Sequence, residues 1–426
     1  MSLLSALYTG VSGLQTFGDS LQVIGDNIAN VNTIAFKASR AEFSDLLSQS
    51  INGSAGRSQL GRGVSLERIS ANFAQGNFSN TDRLTDLAIE GNGFFIVNDG
   101  QRNYYTRNGQ LSLNAQGELT TNRGLNLMGF TFDSQGVLQR ELVPLKIQND
   151  SIPPRQTNGV DVRLNLTSQV PATEIFTFDP ANPVSTSNYS TSLTVYDSQG
   201  TAHSLTVYFN KVSNNNWEWH AMVDGGEVGG TEGEPFEGAA GSLVFNENGA
   251  LVSDETITNV GFNFQGTAQT IGFNFGTSIA EGGNGLDGST QYDQPSQVYT
   301  QTQDGFGTGS LRSITINDEG VIDGIYSNGQ TIPIGQITLA NFANLQGLYK
   351  FGAGIYANTA ESGQPIIDTP NVGGFGAIAS YSLELSNVDL ATEFVNLIST
   401  QRAYQANSKV ITVGDQLMAE VVNIIR

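Results

Sequence analysis

Leu14-Gln15-Thr16-Phe17-Gly18-Asp19-Ser20-Leu21-Gln22-Val23-Ile24-Gly25-Asp26-Asn27-Ile28 places Leu14, Leu21 and Ile28 seven residues apart, and Leu7 carries the register one heptad upstream. Leu3, Leu4, Val11, Phe17, Ile24 and Val31 flank the same face. At the far end Leu390, Leu397, Tyr404, Ile411, Met418 and Ile425 keep the period over five intervals. A seven-residue apolar repeat makes a helix whose stripe is best buried by another helix. Both ends are therefore candidate self-assembly elements, and they are expected to pair as a coiled-coil-like core. Gly10, Gly13, Gly18 and Gly25 each cost about 1 kcal/mol relative to Ala in a helix interior, so the first helix needs packing to persist. The same small residues permit close helix approach. Gln401, Ser408 and Asp415 are polar heptad positions of the second helix, and they suit a multi-helix assembly with a wet face.

Between the helices, short alternating apolar runs in a Gly-, Ser-, Thr- and Asn-rich chain read as β-structure. The predicted class is mainly β with long terminal α-helices, in a nested multidomain arrangement. Residues 1–32 and 386–426 form the helical core, 33–75 a linker or extended excursion, 76–150 with 304–385 an inner β-domain, and 151–303 an inserted outer β-domain. Asn or Asp, two further residues and then Gly recur at Asn114–Gly117, Asp133–Gly136, Asp197–Gly200, Asn246–Gly249 and Asn317–Gly320. These predict hairpin turns, the amide or acid capping locally and the Gly supplying positive φ. Calcium loops need several more oxygen ligands at set spacing. Ser386 and Asp389, three apart, give a capping-box signal ahead of the last helix.

Composition removes several function classes. A formal net charge of −21 disfavours nucleic acid and anionic membrane as partners, since both attract cationic surface. Charged residues are 14% of the chain and Gly numbers 50, which describes a polar but weakly charged, turn-rich body. With no cysteine, disulfides, thiolate metal sites and a Cys nucleophile are out. The first basic residue is Lys37 and no apolar run approaches the roughly 18 residues of a membrane span, so neither a Sec-type signal nor membrane insertion is expected. The local excess of Lys37, Arg40, Arg57, Arg62 and Arg68 reads as a solvated surface or as pairing with acidic residues of a neighbouring subunit.

No catalytic constellation emerges. His203 and His220 sit in strand-type segments without a neighbouring ligand set, and His220 reads as a surface strand residue. Gly91-Asn92-Gly93 opens like a dinucleotide loop, but Phe94 to Val97 continues as strand where that motif requires a helix. The residues therefore give no catalytic, cofactor or metal site.

Four blocks carry a resemblance. Gly13-Leu14 followed by Leu21 to Lys37, with Asn27, Ala29, Asn30 and Asn32, resembles the N-terminal signature of the bacterial flagellar rod and hook proteins, with Asp26 where that family often has Asn. Asp86 to Val97 with Gly91, Gly93, Phe94 and Phe95, then Tyr105-Thr106-Arg107-Asn108-Gly109, then Asn387-Val388-Asp389-Leu390 through Arg402, Tyr404 and Asn407 follow in the family's order. Residues from about 155 to 300 carry no motif of this kind. The central insertion resembles the hook members more than the shorter distal rod members, which stay as the alternative. A β-rich surface enzyme or adhesin is the competing class.

The resemblance implies a structural subunit, not an enzyme, and no cofactor. It implies a homopolymer of many copies in a curved tube joining rod to filament, transmitting torque as a flexible joint. Implied partners are the flagellar rod, the hook cap, the hook–filament junction proteins and the flagellar type III export apparatus. The implied location is extracellular, in the flagellum, reached without a cleaved signal peptide.

Overall fold

The computed structural model describes residues 3–46, 49–53, 56–133, 136–147, 151–171, 177–264 and 266–424. Two long helices bracket a β-rich chain: α1 spans Leu3–Ala29 and α2 spans Leu390–Ile424. They pair with each other, which gives the mainly β class with paired terminal helices that the heptads predict. Among the described residues no helix is long and apolar enough to cross a membrane. The chain divides into two compact units, Met1–Gln148 with Ile314–Gly324 and Ile332–Arg426, and Asn149–Ser313 with Ile325–Thr331.

In the first unit α1 leads into an antiparallel hairpin, Ser39–Asp45 against Val64–Ala71, with the register shifting between Glu42 and Phe43. The hairpin returns onto α1: the Val64 N–H donates to Ser12 Oγ at 3.3 Å, and Phe17 meets Phe43 with ring centroids 5.9 Å apart. Beyond it, Phe94–Asn98 pairs with both Asn103–Thr106 and Asn126–Phe132, and Ile355–Ala357 extends this sheet to an outermost strand at Tyr349–Gly352. Its aromatic core brings Phe94 against Phe73, Phe342 and Tyr356 at 5.8–6.2 Å, all in edge-on geometries that suit ring quadrupoles.

The second unit is built on a sequential five-stranded antiparallel meander, Tyr189–Tyr196, Ala202–Ser213, Asn216–Asp224, Pro235–Phe245 and Leu251–Asn259. A smaller sheet of Gly272–Asn274, Gly159–Asn165 and Gln297–Gln303 shares its core, in which Trp217, Trp219, Phe209, Phe262 and Phe275 are buried. The alternation of buried and exposed residues along Ala202–Ser213 is the two-residue period of a half-covered strand.

All five predicted turns form. In each, the Gly N–H donates to the carbonyl of the Asn or Asp three residues earlier, and φ at Gly117, Gly136, Gly200, Gly249 and Gly320 lies between +73° and +83°. Two local expectations change. Helix α2 starts at Leu390 with Asp389 as its cap, its carboxylate accepting from Thr392 N–H at 2.8 Å, so the box read from Ser386 is one turn early. His220 is not a surface residue: its ring stacks on Phe178 at 3.7 Å and contacts Glu237, because the strand face it occupies is covered.

Candidate functional site

The helix pair is antiparallel, and glycine sets its spacing. A Cβ added to Gly10 would meet Ile411, one on Gly13 would meet Asn407, and one on Gly414 would meet Leu7, each at 2.6–3.1 Å. Farther along, Asn27 Nδ2 donates to Glu393 Oε1 at 3.3 Å, so each step up α1 is matched by a step down α2. On α2 the covered line runs through Glu393, Leu397, Thr400, Ala403, Asn407, Ile411 and Gly414. Five of those seven residues are polar or small, which lets backbones approach closely where bulky side chains would hold them apart.

The predicted heptad residues divide accordingly. Leu397 and Ile411 are half-buried on the seam, while Leu390, Tyr404 and Met418 are about two-fifths exposed at its flank. Leu7, Leu14, Leu21 and Ile28 are half-buried beside the deepest face of α1, which is made by Gly10, Gly13, Thr16, Ser20, Ile24 and Asn27. Ile425 lies outside the described residues. Beside and beyond the seam α2 keeps an open apolar surface: Phe394, Ile398, Val410, Val413, Leu417 and Val421 are 42–50% exposed.

The sequence blocks meet where the helices join the β-structure. Lys37 Nζ donates to Glu384 Oε1 at 2.6 Å and to Ala74 O at 2.8 Å. Arg107 Nη1 reaches the other oxygen of Glu384 at 3.4 Å, and Arg107 Nη2 donates to Gly91 O at 2.8 Å. Gly76 N–H adds a third donor to this carboxylate. Burial pulls Lys37 and Arg107 below their ordinary ranges, and the charge of Glu384 opposes that pull. Burial also pushes the Tyr356 phenol up to about 12. Arg107 stacks over Phe94, 5.4 Å from the ring centroid.

Two amides complete the junction. Asn27 brackets the backbone of Ser39, its Oδ1 accepting the N–H and its Nδ2 donating to the carbonyl at 2.8 Å each. Asn387 Oδ1 accepts from Ala38 N–H at 2.8 Å, and its Nδ2 donates to Asn72 O and Ala74 O. Gly91 and Gly93 take φ of +115° and +127°, which turns the chain so that Phe94 and Phe95 enter the core. Asn30 closes the end of α1 onto Asp26, whereas Ala29, Asn32 and Arg402 face solvent and Asn407 caps back to Ala403 O. Glu384, on which the junction turns, belongs to none of the sequence blocks.

This site has the chemistry of a mechanical anchor: Lys37 and Arg107 are held by the Glu384 carboxylate and by the fixed carbonyls of Ala74 and Gly91, while Arg107 Nε is buried without a partner among the described residues. In the second unit His203 lies between Glu227 at 2.9 Å and Asp197 at 3.4 Å and stacks on Phe264. Among the described residues no group of three or more His, Asp or Glu is arranged to hold a metal ion.

Four family models match in order. Residues 7–37 match the flagella basal body rod protein, 88–164 the flagellar hook protein FlgE/F/G D1 domain, 163–306 the flagellar basal body protein FlaE D2 domain, and 379–424 the flagellar basal body rod FlgEFG protein C-terminal region. The third of these covers the stretch in which sequence reading finds no motif. The flagellar hook protein FlgE of Escherichia coli K12 is 34% identical over 98% of this chain and 100% of its own length. Those of Salmonella typhimurium and Borreliella burgdorferi are 35% and 33% identical over 97% and 99% of this chain, and 98% and 100% of their own. Among solved structures, Helicobacter pylori flagellar hook protein FlgE2 matches with a TM-score of 0.52 at 16% identity, covering 70% of this chain and 98% of that one, a likeness of fold.

Proposed function

This chain belongs to the flagellar hook protein family, and from that premise we propose that its terminal helices form the permanent contacts of a homopolymer while the β-units supply contacts that slide. It is a structural subunit of the flagellar hook. The observation that carries the polymer reading is the apolar surface α2 leaves open, where six large side chains are exposed beside and beyond the seam packed on α1. Burying the exposed half of each such side chain is worth about 1 kcal/mol, enough to hold a lattice when many copies repeat it.

Export by the flagellar type III apparatus, assembly beneath a hook cap, and attachment to rod and junction proteins are part of the same reading, as is torque transmission with bending. Polar outer surfaces tolerate small displacements better than interlocked apolar seams, so bending is assigned to the β-units. The absence of a catalytic constellation in the sequence fits a structural role. To test the polymer reading, full-length protein is polymerised with salt and viewed by negative-stain electron microscopy beside Leu417→Asp. Tubes from the wild type and none from the variant are expected. Normal tubes from Leu417→Asp would remove the exposed apolar surface around Leu417 from the contact.

A further inference from the structure

At the outer strand of the first unit's sheet, Tyr349 is 62% and Phe351 59% exposed. Both line one hollow at this edge, across a register shift between Lys350 and Gly352, and Tyr104 packs beside Phe351 with centroids 5.6 Å apart. Phe351 and Tyr104 stand as a ridge between two hollows of about 510 and 280 Å³, the first walled by Arg102 and the second by Arg123. Both arginines are exposed, and among the described residues neither guanidinium has a hydrogen bond or ion pair. The carboxylate lining the smaller hollow, Asp99, is held by the N–H groups of Gln101 and Arg102 at 2.8 Å each. Tyr, Phe and Arg around a half-open strand are the composition of an interface centre.

The complement sits in the second unit. That unit holds four Lys or Arg against eighteen Asp or Glu, a net of −14 out of the chain's −21. Its segment Thr231-Glu232-Gly233-Glu234-Pro235-Phe236-Glu237 presents exposed Glu232 and Glu234, whose carboxylates are also without partners among the described residues, and Phe236 is 36% exposed. Two free guanidiniums beside an aromatic ridge thus match two free carboxylates beside a phenyl ring.

We propose that the Arg102/Arg123/Tyr349/Phe351 face of one copy binds the Glu232–Phe236 segment of a second copy. This rests on the homopolymer reading and adds to it a contact remote from the helices. The two surfaces differ, so the contact is heterologous: each copy offers one and accepts the other, a head-to-tail contact that gives an open helical array where its rotation does not close a ring.

The test uses full-length chains, with polymerisation followed by light scattering and electron microscopy at about 0.15 M ionic strength, where charges within about 8 Å still interact. All four charged positions are on the surface, so folding is not at stake. Arg102→Glu with Arg123→Glu in one protein, and Glu232→Arg with Glu234→Arg in another, are each expected to raise the critical concentration about tenfold or more. An equimolar mixture is expected to recover assembly, because each variant's altered surface meets its complement on the other. Either variant polymerising like the wild type, or a mixture as impaired as its components, overturns the contact. A wild-type chain that forms no polymer overturns the homopolymer reading beneath it.

Discussion

Lys37 Nζ lies 2.6 Å from Glu384 Oε1 with both side chains wholly removed from solvent, and Arg107 approaches the same carboxylate from the other side. One anion thus serves two buried cations. Each of these charges forfeits hydration, and the junction stands because Glu384, Ala74 O and Gly91 O replace the lost water.

The asymmetry fixes an order of mutational cost. Glu384→Gln leaves two buried cations without an anion and should cost about 3–5 kcal/mol, whereas Lys37→Met leaves the Arg107–Glu384 pair intact and should cost less. Chemical denaturation followed by far-UV circular dichroism checks this. A larger loss for Lys37→Met would show that Arg107 does not share the carboxylate.

Glycine in the helices divides by what stands opposite it. Gly18 has nothing within 4 Å of a built Cβ, so Gly18→Ala should stabilise α1 by about 1 kcal/mol. Gly414 faces Leu7 at 2.6 Å, and Gly414→Leu should force the helices apart at a cost of about 1–3 kcal/mol from overpacking. Thermal melts of the two variants should move in opposite directions.

Those contrasts show where the sequence was legible. Heptads announce both helices, and the Asn or Asp to Gly spacing announces the turns, because in each case the physics is local: a periodic stripe, or a positive φ beside a capping side chain. The seam itself was hidden. Glu393, Thr400, Asn407 and Gly414 lie on it, and a search for apolar repeats passes over polar and small residues whose contribution is closeness. Glu384 was hidden for a different reason, since it pairs with residues 347 and 277 positions away and sits in no block. Asn27 and Gly91 were singled out by resemblance, but their task, bracketing Ser39 and accepting from Arg107, needed coordinates.

Two carboxylates at the start of α2 give opposite pH dependences. Hydrogen bonds from the Thr392 backbone N–H and hydroxyl hold Asp389 below its ordinary 3.8, so its stabilisation is present above that value and is lost as pH falls through the folded value. Burial raises Glu393 above its ordinary 4.5, so its contribution to stability falls as pH rises through and beyond that value. Asp389→Asn should therefore narrow the acid-side loss of helical signal, and Glu393→Gln should remove a penalty seen at neutral pH. Melting the wild type and both variants across pH 3–7 (roughly the span of these shifts) reads each difference, and identical pH profiles for all three would refute both assignments.

The covered seam of α2 and its exposed apolar surface should separate in the unassembled subunit. Ile411 is within reach of Gly10 on α1, so Ile411→Asp puts a charge into the helix pair and should lower the helical signal of the monomer. Leu417 is 49% exposed in the subunit, so Leu417→Asp should leave that signal unchanged while abolishing tubes. Both tryptophans, Trp217 and Trp219, are buried in the core of the second unit, so their emission reports that unit's packing. Neither variant should move it, because the altered residues belong to the first unit. The decisive pattern is a helical loss for Ile411→Asp alone with one emission spectrum for all three proteins. If Leu417→Asp also lowered monomer helicity, its loss of tubes would be a folding defect, and the exposed apolar surface at Leu417 would no longer be an independent contact.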